Sequence, residues 1–146
     1  ELEDVIGRMA AERFTSNHFE RLQGLLKDCE PLLEQKNPKA LAAIDFRIKA
    51  LFHEAAANPY LTEMSDRLYA LTFRLWYYNM IKMSADEWNE EVMSVQKELI
   101  DFSTILNQKN AKDFGKARKK HLLEHLDRIR STFFNLSGSS YNNPSN

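Results

Sequence analysis

The chain has 146 residues, 20 Lys and Arg against 21 Asp and Glu, and a formal net charge of −1. This length predicts one domain with a sizeable core, and the near-neutral balance argues against strong nucleic-acid binding by this chain alone. Cys29 is the only cysteine, which excludes an internal disulfide and favours a reducing compartment such as the cytoplasm. No apolar run reaches the length of a membrane span, so we expect no membrane association.

From Glu1 to about Phe134 the apolar residues recur every three to four positions, which is typical of helices. The predicted helices cover residues 1–13, 16–36, 38–57, 59–82, 84–108 and 111–135. Pro31 falls inside the second of them and should kink or split it, because proline lacks the backbone donor. The sequence therefore predicts an all-α fold, an antiparallel bundle of six to seven helices.

Three helix starts are marked by side chains that can cap a helix. Asn37 and Asn58 each precede a proline, so that the Asn serves as the N-cap and the Pro as the first helical residue. Ser84 is followed three residues later by Glu87, the spacing of a capping box. These signals predict short connections between the third, fourth and fifth helices.

The fourth helix is the most apolar and has two apolar stripes. The first stripe contains Leu61, Met64, Leu68, Leu71, Leu75 and Tyr78, and the second contains Tyr69, Phe73, Trp76, Tyr77 and Met80. One stripe should pack into the core. The other is left for a partner chain or a ligand cavity.

The motifs of common enzyme classes are missing. The sequence has no G-x-S-x-G, no G-x-G-x-x-G and no E-x-x-H pair. His53-Glu54 begins like a zinc-protease motif, but Ala57 stands where the second histidine ligand is needed. We therefore expect no catalytic activity.

Asp45 is an ionisable residue between Ile44 and Ile48, on the apolar side of the third helix. In one interpretation it forms an ion pair with Lys49 one turn later. In the other it faces an internal polar cavity, where a cation, a metal or a ligand offsets the free-energy cost of burying its charge. His121 and His125 are also one turn apart and can either chelate one metal or serve as ordinary boundary residues.

A basic cluster lies at the start of the sixth helix. It contains Lys112, Lys116, Arg118, Lys119 and Lys120. We interpret it as a solvated helix face, with an acidic surface of a companion domain as the alternative.

Several short motifs, in their order and spacing, resemble the effector-binding C-terminal (FCD) domain of GntR-family, FadR-subfamily transcription regulators. They are Leu2-Glu3, Met9 to Arg13, Asp45, Ala55 to Leu61, Glu98 and His121-Leu122. The resemblance spans about residues 1–134. It implies a sensor and dimerisation domain over residues 1–135, a flexible tail over 136–146, and an N-terminal winged-helix DNA-binding domain that is absent from this chain.

Many members of that family hold a divalent metal with one Asp and three His, and the metal grips a carboxylate effector. The resemblance places the Asp at Asp45 and the last His at His121, whereas Lys49 and Leu99 occupy the other two positions. Neither Lys⁺ nor Leu is a metal ligand, so we expect no tightly bound metal and no other cofactor.

The same substitution suggests an effector site. Lys49 puts an ammonium group near the family's metal position, where it can pair with Asp45 and His121 or meet an effector's carboxylate. Leu99 should make this pocket more apolar, and Arg74 is a candidate second anion contact. The predicted effector-binding residues are therefore Asp45, Lys49, Arg74, Leu99 and His121, and the predicted ligand is an organic acid with an apolar body.

The favoured function is thus that of a cytoplasmic, homodimeric sensor domain that controls DNA binding by the missing winged-helix domain. The first alternative is a helical dimerisation or interaction module without a small-molecule ligand. The second is a metal-binding bundle, against which the two lost ligands argue.

Overall fold

The computed structural model describes residues 1–138, which form six α-helices and one 3₁₀ turn, with no strand in that range. The helices are α1 (Leu2–Glu12), α2 (Ser16–Cys29), α3 (Pro38–Ala56), α4 (Pro59–Lys82), α5 (Ala85–Asn107) and α6 (Ala111–Gly138). The predicted all-α bundle is confirmed. None of these described helices is long and apolar enough to cross a membrane.

The helix starts follow the local capping chemistry. The side-chain oxygens of Asn37 and Asn58 accept hydrogen bonds from the backbone N–H groups of Ala40 and Leu61, at 3.0 and 3.2 Å. The hydroxyl of Ser84 caps α5 in the same way. These predicted starts are confirmed.

The predicted second helix is split at its proline, as expected. α2 ends at Cys29, and Pro31 lies in a 3₁₀ turn over Glu30–Leu33. The missing N–H of the proline prevents the α-helical bond that would continue α2.

α3 turns into α4 within two residues. Ala57 adopts a left-handed conformation with φ of 51°, and its N–H bonds to the carbonyl of His53. Asn58 then caps α4. Because the connection is so short, the side chains of α3 are held beside the first three turns of α4.

The core contains buried side chains from all six helices, and aromatic rings of α3, α5 and α6 contact one another within it. The rings of Phe52, Phe102 and Phe114 meet with centroids 5.1 to 5.4 Å apart. The apolar seam of α5 packs into this core, and its members are all buried. They are Trp88, Val92, Val95, Leu99, Phe102 and Leu106.

Val5 of α1 and Leu122 of α6 are apolar but lie at the surface, 41% and 39% exposed. On α4 it is the second stripe that turns inward, with Trp76 and Met80 buried, while the first stripe lies largely on the surface.

α1 lies directly against α6 through glycines. A Cβ atom at Gly7 would lie 3.0 Å from the Cα atom of Gly115. A Cβ at Gly115 would in turn lie 2.6 Å from the carbonyl oxygen of Asp4. This close approach positions the start of α1, with Glu1 and Glu3, beside the middle of α6.

α6 continues to Gly138, three residues beyond its predicted end. The rest of the expected flexible tail, 139–146, lies outside the described residues.

Candidate functional site

A cavity of about 380 Å³ opens between α1, α3, α4, α5 and α6. This volume falls within the range of small-molecule sites. Its apolar walls include Leu2, Ile48, Phe73, Trp76, Leu122 and Leu126. Charged and polar side chains from all five helices line this cavity. A simple packing defect in a core would be lined by apolar side chains alone.

Asp45 is half-buried on the α3 wall of this cavity. Its Oδ2 accepts a hydrogen bond of 2.7 Å from the hydroxyl of Tyr69 on α4. Burial, reinforced by the Asp45 carboxylate, raises the pKa of Tyr69 well above its usual range, so the phenol remains a donor. The second carboxylate oxygen of Asp45 has no hydrogen-bond partner among residues 1–138 and remains available as an acceptor.

Lys49 lies one turn from Asp45 and also lines the cavity, but it does not pair with Asp45. Its Nζ atom is 2.7 Å from Oδ1 of Asp66 and 3.9 Å from the centroid of the Tyr69 ring. The side chain is only 11% exposed. Asp66 lies on α4, so the ion pair links α3 to α4 at the cavity wall.

His121 brings a ring from α6 into the same cavity. Its Nε2 lies 3.1 Å from Oδ2 of Asp101, and its ring meets the edge of Phe102 at 5.2 Å. Burial lowers the pKa of His121, against the opposing effect of Glu124 and Asp101, so the ring is neutral at pH 7. The sequence predicted that His121 pairs with Lys49, whereas in the structure His121 contacts Asp101.

Arg118 is a cation at the α1 side of the cavity, and its side chain is 11% exposed. Its guanidinium lies over the rings of Phe52 and Phe102, at 5.0 and 5.4 Å from their centroids, and bonds to Glu3 at 2.7 Å. The Oγ of Ser65 donates to the other oxygen of Glu3. The interpretation of the basic cluster as a solvated face is thus wrong for Arg118, although Lys112, Lys116 and Lys120 are exposed.

Glu98 contributes a second carboxyl group from α5. Its side chain is 17% exposed, and Oε1 lies 3.9 Å from Nη1 of Arg118. Burial raises the pKa of Glu98 to about 7, with a further increase from Asp45, because Arg118 compensates only in part. The cavity therefore holds a carboxyl group that titrates near neutral pH.

A polar cluster surrounds Trp76 and His125, two of the residues that line the cavity. The indole N–H of Trp76 donates to Oε1 of Glu91 at 2.9 Å. The ring of His125 meets Trp76 edge to face at 5.0 Å, and burial lowers its pKa. Arg128 lies 3.4 Å from the same carboxylate. Glu91 is thus fixed by α4 and α6 together.

Two of the predicted site residues lie elsewhere. Arg74 lines a shallow groove between α3 and α4, on the other side of Tyr69 and Phe73. Leu99 is fully buried in the core, and it is its neighbour Glu98 that reaches the cavity. The structure thus brings Asp45, Lys49 and His121 to one cavity, where they contact Tyr69, Asp66 and Asp101 instead of the predicted partners.

A family model described as the FCD domain matches residues 1–128. The chain belongs to the FCD family. This family is the effector-binding C-terminal domain of GntR-family regulators, which are transcription factors and not enzymes. No curated protein and no solved structure matches the chain.

The residues of this FCD domain do not fit the metal ion that the family resemblance implies. The resemblance assigns two of the four ligand positions to Lys49, which carries an ammonium group, and to Leu99, which is fully buried. Asp45 is engaged by Tyr69, and His121 faces Asp101. Within residues 1–138 no three His, Cys, Asp or Glu side chains are grouped so as to hold a metal ion.

Tyr69, Glu98 and Arg118 are among the polar residues of the cavity that sequence reasoning missed. Arg118 follows Phe114 by four residues and precedes His121 by three, so helical spacing alone places it on the buried face of α6. For Tyr69 the signal was its place on the inward stripe of α4. Glu98 adjoins the buried Leu99, and only the packing of α5 against α6 turns its carboxyl group into the cavity.

Proposed function

We propose that this FCD domain is the effector-sensing and dimerisation domain of a GntR/FadR-type transcription regulator, acting in the cytoplasm on a winged-helix DNA-binding domain. The cavity between α1, α3, α4, α5 and α6 is the effector site. The observation that carries this proposal is that Lys49 and Asp45, at positions where the resemblance implies site residues, both lie in the wall of a cavity that combines apolar walls with charged side chains.

The chemistry of the wall supports a small organic acid as the effector. Lys49 has three ammonium donors, of which one faces Asp66. A second donor can meet a carboxylate of the ligand, and the free oxygen of Asp45 can accept a hydrogen bond from a hydroxyl or amino group. A second negative charge on the ligand would be repelled by Asp45. These groups select a monocarboxylic acid with an apolar body and one further donor.

Such a ligand would act by selecting one packing of the helices. The cavity is bounded by five of the six helices, so a ligand in it contacts elements that can shift relative to one another. Only a difference in affinity between two packings can move the equilibrium between them. α1 leads towards the position of the DNA-binding domain and is the element through which we expect the shift to be transmitted.

The alternative, an interaction module without a ligand, would require a closed and apolar interior. The ionisable side chains of Lys49, Glu98 and Arg118 line an open volume, which favours the sensor instead. A closed apolar core would not place them there, because withdrawing charges from water is costly even where ion pairs such as Lys49–Asp66 and Arg118–Glu3 compensate.

A thermal-shift screen tests the proposal. Monocarboxylic acids of increasing apolar length, with and without a 2-hydroxyl or 2-amino group, would be added in EDTA. A ligand that binds the folded state stabilises it and so raises the melting temperature. At a ligand concentration of 100 times the Kd, the stabilisation is about 2.7 kcal/mol. We expect stabilisation that EDTA does not change. Stabilisation only with Zn²⁺ or Ni²⁺ would contradict the metal-free site, and no response to any acid would favour the interaction module.

A further inference from the structure

A groove lies between α3 and α4 on their solvent side, and only the side chains of Tyr69 and Phe73 line both this groove and the cavity. Its volume is about 570 Å³, within the range of small-molecule sites. The lining residues extend from Lys39 to Arg47 on α3 and from Tyr69 to Tyr77 on α4. Eight residues of helix measure about 12 Å, so the two walls are equally long and can hold a molecule of about the size of a substituted naphthalene.

One wall of the groove is a row of aromatic rings. Tyr69, Phe73 and Tyr77 follow one another by one turn of α4, with ring centroids 5.6 and 5.8 Å apart and interplanar angles of 34° and 30°. Phe46 of α3 adds a ring that is 55% exposed. The rest of the apolar lining consists of three alanines, Ala42, Ala43 and Ala70. Their small side chains leave room beside the rings for a flat apolar molecule, which can pack against an aromatic ring in an offset or edge-to-face arrangement.

The charged side chains that line the groove are all cations. They are Lys39, Arg47 and Arg74, and no Asp or Glu lines the groove. Arg47 is paired with Asp28 at 3.0 Å, whereas Lys39 and Arg74 have no ion pair and no side-chain hydrogen bond within residues 1–138. The groove is therefore complementary to an anion. The planar guanidinium of Arg74 can bind a carboxylate through two parallel hydrogen bonds.

The length of the groove favours a small molecule over a protein partner. A protein interface of standard size buries about 800 Å² on each side, and a groove little longer than two helical turns does not provide that area. We infer that the groove between α3 and α4 is a second ligand site, for a flat aromatic molecule with one anionic group. Arg74 and Lys39 bind the anionic group, and the rings of Phe73 and Tyr77 pack against the flat body. The inference does not require the cavity to be an effector site.

Occupancy of the groove is tested by maleimide labelling of Ala43→Cys in the presence of 2-naphthoate, an aromatic carboxylate of suitable size. Ala43 is exposed and lines the groove. Ala50, two turns further along α3, is exposed and lines neither the groove nor the cavity, so Ala50→Cys is the control. The native Cys29 is buried. At ten times the Kd of naphthoate, roughly one groove in eleven is empty. Labelling of Ala43→Cys should then be about tenfold slower than without naphthoate, and labelling of Ala50→Cys should be unchanged.

The role of the anionic group is tested by adding Arg74→Met to the Ala43→Cys chain. Arg67→Met is the matched control, because Arg67 lies two turns earlier on α4, is exposed and lies outside the groove. We expect Arg74→Met to raise the naphthoate concentration needed for half-protection about tenfold, through loss of a charge-assisted hydrogen bond, and Arg67→Met to leave it unchanged. The uncharged isostere 2-naphthamide should also need an about tenfold higher concentration in the chain that keeps Arg74.

Absence of protection at Ala43→Cys, or equal protection of Ala50→Cys, would overturn the inference. So would an equal half-protection concentration with and without Arg74. Protection by an acidic amphipathic peptide of Leu, Glu and Ala, in place of protection by naphthoate, would assign the groove to a protein partner and would also overturn it. Naphthoate that binds in the cavity leaves Ala43 exposed, so failure here leaves a positive acid screen of the cavity intact, and failure of that screen does not alter the protection of Ala43→Cys.

Discussion

Glu98 is the residue that most directly sets the charge of the cavity near neutral pH. Its pKa is raised to about 7 because burial disfavours the carboxylate and Asp45 adds a like charge. Burial lowers the pKa values of His121 and His125, so both rings are neutral at and above pH 7. A change in ligand affinity around pH 7 is therefore assigned to Glu98.

The raised pKa of Glu98 predicts a pH-dependent cost to stability. Below the usual value of 4.5 both the folded and the unfolded states are protonated, and no cost exists. Between pH 4.5 and about 7 only the unfolded state ionises, so stability falls as the pH rises, and above 7 the cost is constant. Glu98→Gln should then be more stable than the unsubstituted chain by roughly 1–3 kcal/mol at pH 8, and not at pH 4.

Urea unfolding at the two pH values measures this difference, with Glu90→Gln on the exposed face of α5 as the control. In the unsubstituted chain, affinity for a monocarboxylic acid should fall as the pH rises through 7, because Glu98 adds a second negative charge to the cavity. In Glu98→Gln this fall should be absent. A Glu98→Gln chain with an unaltered pH profile of stability would show that the carboxyl group is solvated.

At the scale of elements, the contact between α1 and α6 fixes one wall of the cavity. Glu3 of α1 reaches Arg118 of α6 only because Gly7 and Gly115 let the two helices approach closely. The adjacent ion pair between Glu1 and Lys119 joins the same helices at the surface. We therefore expect a single methyl group at this crossing to disturb the cavity as well as the packing.

Gly115→Ala should destabilise the chain by roughly 1–3 kcal/mol, since the new methyl group would meet the backbone of Asp4. Gly24→Ala on α2 is the matched control, because its Cβ would have no neighbour within 4 Å. In a helix interior the control substitution should stabilise by up to about 1 kcal/mol. Thermal unfolding of both variants measures the difference. Equal stabilisation by the two substitutions would show that α1 and α6 are not in close contact.

Across the whole molecule, the features with a local cause could be predicted from the sequence. The caps at Asn37, Asn58 and Ser84 and the break at Pro31 depend on neighbouring residues only. The buried seams of α3 and α5 follow from their periodicity. The resemblance placed Asp45, Lys49 and His121 in one site because it fixes their spacing along two helices, α3 and α6.

The remaining features depend on packing between segments that are distant in the chain. Both stripes of α4 are apolar, and only the surrounding helices decide which one turns inward. Lys49 pairs with Asp66 on the next helix, so no i to i+4 pattern reveals this partner. Arg118 is buried because two phenylalanine rings from α3 and α5 meet its guanidinium. A cavity is a volume left between five helices, which no stretch of sequence encodes.

The central claim is that an acidic effector binds in the cavity at Lys49. It is tested most directly by titration calorimetry of an acid found in the screen, in EDTA, against the unsubstituted chain, Lys49→Met and Lys116→Met. Lys116 is an exposed lysine of α6 outside the cavity, paired with Asp113. We predict that Lys49→Met weakens binding about 10- to 100-fold, the effect of losing a hydrogen bond to a charged group, while Lys116→Met leaves it unchanged. Equal affinity of all three chains would contradict the account.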